Sequence, residues 1–122
     1  MLTEPNSTII KKYNPKEVLK YIFNLVEKSM KPDPNLQNFR QDGEIKLIDL
    51  KGFSAAEGSF IIDILREDGI VERKIKRIVI FANNDLWSIV FSATNSQIFE
   101  EEKKDFDKFL EDLIIKKEEN NY

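Results

Sequence analysis

The chain has 122 residues, 41% of them hydrophobic, with nine phenylalanines, three tyrosines and one tryptophan: enough for one folded domain with a real core and too few for two. It contains neither cysteine nor histidine, which excludes disulfides, thiolate nucleophiles, the usual zinc sites and imidazole acid–base catalysis together. Basic residues number 19 and acidic ones 22, a formal net charge of −3, so the summed field offers no general attraction to nucleic acid or anionic lipid.

The first seven residues are polar, and Thr8-Ile9-Ile10 after them is a β-prone patch that predicts a short strand. Asn14-Pro15-Lys16-Glu17 then opens a helix, expected over 14–29. Asn14 can cap it, Pro15 suits the first helical position, and Glu17 completes a capping-box pair. Val18, Ile22, Leu25, Val26 and Ser29 share one face at helical spacing, with Leu19 and Phe23 widening it. Lys31-Pro32-Asp33-Pro34 stops the helix. Leu36–Gln41 and Glu44–Leu50 read as strands joined by a two-residue turn at Asp42-Gly43. The glycines and small residues of Lys51–Gly58 predict a bulge or a close backbone approach.

Ser59–Arg66 is strongly β-prone, Glu67-Asp68-Gly69 turns the chain, and Ile70–Phe81 is a long strand. Asn83-Asn84-Asp85 turns again into Leu86–Ala93, where Trp87, Ile89, Phe91 and Ala93 alternate onto the expected core face. Thr94-Asn95-Ser96 offers caps for a helix over 97–113, whose apolar stripe includes Phe99, Phe106, Phe109, Leu110 and Leu113. The tail from Lys116 is polar. The order predicts a single α+β domain: a mainly antiparallel β-sheet flanked by an N-terminal and a C-terminal helix. Trp87, Ile89, Phe91, Ile22, Val26, Phe106, Phe109 and Leu110 are expected among its most buried residues.

The strand–turn–strand of Ile78–Ala93, with its aromatic-rich Leu86-Trp87-Ser88-Ile89-Val90-Phe91, resembles the PsbP-like family and its Mog1/PsbP-like α/β/α sandwich. Phe99…Phe106-Asp107-Lys108-Phe109-Leu110 and Leu113-Ile114-Ile115 are similar to that family's last helix and final short strand. Leu50-Lys51-Gly52-Phe53-Ser54-Ala55-Ala56 is similar to the glycine and small-residue step before its long hairpin. The likeness spans roughly residues 8–115 as a pattern of elements. It departs from the family in lacking an aromatic-rich strand pair before the first helix, and no residue matches a metal-binding histidine. What the resemblance implies is a non-enzymatic binding or assembly domain.

Candidate sites are few. Arg66, Arg73, Lys74, Lys76 and Arg77 form the densest basic segment, a possible anion- or nucleic-acid-binding hairpin. Alternation, however, sends Arg73 and Arg77 to one face and Lys74 and Lys76 to the other, with Glu67, Asp68 and Glu72 beside them. Glu100-Glu101-Glu102 with Asp105, and Asp107 with Glu111, read as a solvated helix surface, since lysines compete for each cluster and acids suit a first helical turn. Asp63 falls on the solvent face of its strand, while Trp87, Phe53, Phe60 and Tyr21 read as core. Ser54, Ser59 and Ser92 have no histidine to activate them, and Gly52, Gly58 and Gly69 form no phosphate loop.

The expected function is thus non-catalytic binding of a protein partner. The candidate surface comprises Lys51, Phe53, Glu57, Arg66, Arg73, Lys74, Lys76 and Arg77, and neither cofactor nor metal is expected. The alternative is a nucleic-acid-associated protein using the basic hairpin 66–77. No apolar run approaches the ~20 residues of a membrane helix, and no basic and apolar leader opens the chain. A complete chain would then be cytoplasmic, and one whose leader had been removed extracytoplasmic.

Overall fold

A computed structural model describes residues 4–115. Helix α1 (Asn6–Lys12) and helix α2 (Pro15–Met30) precede strands β1 (Leu36–Leu50), β2 (Phe53–Arg66), β3 (Gly69–Ala82) and β4 (Asp85–Thr94), and helix α3 (Ser96–Asp112) follows. The strands form one antiparallel meander in the order β1-β2-β3-β4. The chain is therefore α+β, as the element order predicts. Helices cover both faces of the sheet, because alternation makes both faces apolar in the central strands: Val79 joins the core beneath α1 and α2, while Ile78 and Ile80 join the core beneath α3. Those three and Leu19 are the largest fully buried side chains, each worth roughly 1.5–3 kcal/mol in burial.

Helix α2 begins as its sequence dictates. The Asn14 side chain accepts from the Glu17 N–H at 2.9 Å and the Glu17 carboxylate accepts from the Asn14 N–H at 3.1 Å. Its buried face is rotated from the expected one. Val18, Leu19, Phe23 and Met30 are buried, Ile22 and Val26 only partly, and Ser29 is exposed.

Two local expectations are corrected. Thr8-Ile9-Ile10 is not a strand but the middle of α1, started by the Pro5 carbonyl accepting from the N–H groups of Thr8 and Ile9. Burial of Ile9 in the α2-side core outweighs its β propensity. Asp42-Gly43 is not a hairpin turn either. Strand β1 runs through it, its register against β2 shifting between Gln37 and Arg40 and again between Asp42 and Lys46, with Asn38 (φ 57°) and Gly43 (φ 80°) in the left-handed region. The turn lies instead at Lys51-Gly52 (φ 55° and 86°), where the Asp49 carboxylate accepts from the Gly52 N–H at 3.0 Å. From this turn the chain enters the central strand β2, where Ala55, Ala56 and Gly58 are buried. The close backbone approach predicted there is real at Gly58, where an added Cβ would lie 2.9 Å from Ile45 Cγ1 and 3.2 Å from Phe23 Cζ.

Two consecutive positive φ values at Asn83 and Asn84 (54° and 58°) close the β3–β4 hairpin, a conformation that asparagine tolerates better than most residues. Asn95, at φ 59°, caps α3 by accepting from the Ile98 N–H at 2.9 Å. After Asp112 the chain leaves the helix through Leu113 in extended conformation. Residues 113–115 form no strand, and the expected tail from Lys116 lies outside the described residues. No described helix is long and apolar enough to cross a membrane.

Candidate protein-binding surface

The α3 side of the sheet divides into a charged half and an apolar end. The charged half is built by alternation along β1, β2 and β3. Arg40 reaches Asp63 at 3.3 Å and Glu72 at 2.8 Å, the Asn38 amide donates to Asp63 at 2.9 Å, and the Ser96 hydroxyl donates to Glu72 at 3.1 Å. Asp63 is thus not a free solvent-facing carboxylate. The Asn38 and Arg40 hydrogen bonds hold its carboxyl below the usual aspartate value. Lys74 lies 2.8 Å from Asp42 and 3.8 Å from Glu100, with its ammonium 4.5 Å from the centre of the Phe99 ring. Lys76 pairs with Glu57 at 3.2 Å and sits 5.8 Å from the Phe106 ring centre.

The opposite face carries Arg73 and Arg77. Arg73 donates to the Ser92 hydroxyl at 2.9 Å. Arg77 is partly buried, its Nε without a hydrogen-bond partner, and that desolvation lowers its pKa. Arg66 is exposed at the β2–β3 turn. The basic residues of the hairpin therefore do not converge. Two lie in ion pairs beside α3, two are on the other face, and one is at the far turn.

The remaining sequence candidates, Lys51 and Phe53, lie at the other end of the α3 side. Lys51 Nζ donates to the Glu111 carbonyl, tying the β1–β2 turn to the last turn of α3. Phe53 packs with Leu50, Ile48 and Leu110 against the core beneath α3. Phe60 is on the α2 side, so the aromatics Trp87, Phe53 and Phe60 line no common pocket. Among the described residues no group of three or more Asp or Glu is placed to hold a metal ion.

Trp87 and Phe109 overturn the burial expectation. Phe106 is buried and stacks on Phe91, with ring centres 4.8 Å apart and planes 11° apart, but Trp87 is 55% exposed and Phe109 51%. Trp87 does point to the α3 side, opposite Ile80 of β3, as alternation requires. What fails is the cover. Trp87, Phe109 and Ile114 (81% exposed) border a groove of about 290 Å³ between β4 and the segment leaving α3, with the buried Ile80 and the half-buried Ile89 also in its lining. Exposed tryptophan and phenylalanine around a concave apolar surface are the residue types that anchor protein contacts. Periodicity could not reveal this, because it assigns a side chain to a face without saying how far the covering helix reaches.

Compared with known protein families, curated proteins and solved structures, the chain matches none.

Proposed function

We propose that this domain is a non-catalytic protein-binding module whose working surface is the Trp87–Phe109–Ile114 groove. The observation that carries this reading is the exposure of three large apolar side chains around one concavity. The absence of histidine and cysteine and the pairing of Asp63, Glu72, Glu57, Lys74 and Lys76 in ion pairs leave no described acid–base pair at the groove, which supports binding over turnover. Helices on both faces of an antiparallel sheet also accord with the PsbP-like resemblance and the assembly role it implies.

The test is quantitative affinity capture with the intact chain and with the Trp87→Asp and Phe109→Asp variants. Both positions are exposed, so the variants should fold. Proteins retained by the native chain should fall at least about 10-fold with either variant. Identical retention by all three would remove the groove from the function.

A further inference from the structure

The two edges of the sheet are built differently. Strand β1 is guarded in the ways that prevent edge pairing: two register shifts interrupt it, and Arg40, Asp42, Glu44, Lys46 and Asp49 charge it. Strand β4 has none of these devices. Its pairing with β3 runs from Arg73–Thr94 to Ala82–Asp85 without a shift, and Leu86–Thr94 contains no charge and no proline. Its second edge has no strand partner among the described residues. Trp87 and, at mid-strand on the other face, Val90 (51% exposed) stand beside that open edge.

We propose that the partner at this edge is a second copy of the chain, joined by antiparallel β4–β4 pairing about Val90 into one eight-stranded sheet. The proposal rests on the reading of the Trp87 end as a protein-binding surface and names its occupant. Strand β4 is complementary to itself. An antiparallel two-fold axis at Val90 sets Trp87 opposite Ala93 of the second copy, Ile89 opposite Phe91 and Leu86 opposite Thr94. The largest side chain therefore meets the smallest, and every α3-side residue stays on the α3 side. No like charges meet, because the strand carries none between Leu86 and Thr94. The chain's own next segment is a poor substitute: Lys116-Lys117-Glu118-Glu119-Asn120-Asn121 offers no apolar residue before Tyr122.

Sedimentation velocity of the intact chain from about 1 µM to about 500 µM tests this, together with hydrogen exchange at both ends of that range. The mass should rise with concentration from the monomer's 14.3 kDa to twice that value. Over the same range a subset of the Leu86–Thr94 amides should exchange more slowly. Val90→Lys places two ammonium groups at the axis and should weaken association at least about 30-fold, while Val90→Thr should preserve it. A monomer at every concentration, or a dimer whose β4 amides exchange no more slowly than in the monomer, overturns the proposal. Should the native chain stay monomeric and still lose a retained protein on Trp87→Asp, self-pairing fails and the groove's binding role stands. If neither dimer nor groove-dependent capture is found, both fail.

Discussion

Gly58 shows how little room the α2 side of the sheet leaves. Its backbone needs no unusual φ, so the restriction is steric: a methyl group would meet Ile45, Phe23 and Leu19 together. Gly58→Ala should therefore destabilise by roughly 1–3 kcal/mol, read as a lower urea midpoint with an unchanged slope. Asp63 makes a different prediction. Its carboxyl is held below the usual 3.8 by the Asn38 amide and then by Arg40, so the folded chain binds that proton less readily than the unfolded one. The resulting stabilisation is fully present above about pH 4 and is lost as pH falls through the folded-state pKa. Asp63→Asn should flatten this limb, so that urea stabilities at about pH 6 and about pH 3 differ less than in the native chain. An unchanged difference would show that other carboxylates account for the acid limb.

At the scale of elements, α3 is a helix whose amphipathic stripe is only partly used. Phe106 is sandwiched against Phe91 and the Ile78–Ile80 core, whereas Phe109, one turn on, is half exposed. Phe106→Ala should cost about 3–5 kcal/mol by chemical denaturation, and Phe109→Ala less than about 1 kcal/mol. Equal losses would mean that the groove is closed in solution. The helix starts differ in a similar way. Asn14→Ala removes a capping box and should cost about 1 kcal/mol, while Asn95→Ala removes a cap and also places at φ 59° an alanine, which tolerates positive φ less well than asparagine, and should cost more.

For the molecule as a whole, the decisive fact about charge is its distribution. The basic hairpin is spread over two faces and a turn, and Lys74 and Lys76 are held by Asp42, Glu100 and Glu57. In a chain of net charge −3, labelled single- and double-stranded oligonucleotides should show no saturable binding at about 200 mM salt. Sub-micromolar affinity at that salt, lost in an Arg73→Ala/Arg77→Ala variant, would favour the nucleic-acid reading instead.

By itself the sequence determined what depends on near neighbours along the chain. The Asn14–Glu17 capping box, the turns at Glu67-Asp68 and Asn83-Asn84, the α+β order and the split of Arg73 and Arg77 from Lys74 and Lys76 all follow from local rules of period, cap and turn. The tertiary structure decided what depends on distant partners. Ile9 became helical because a core position received it, and Asp42-Gly43 became a distortion within β1 because β2 pairs on both sides of it. Asp63 gained partners from β1, and Trp87 lost its cover because α3 gives way to an extended segment at that end. A strand's alternation fixes which way a side chain points, but what meets it there depends on where another element stops.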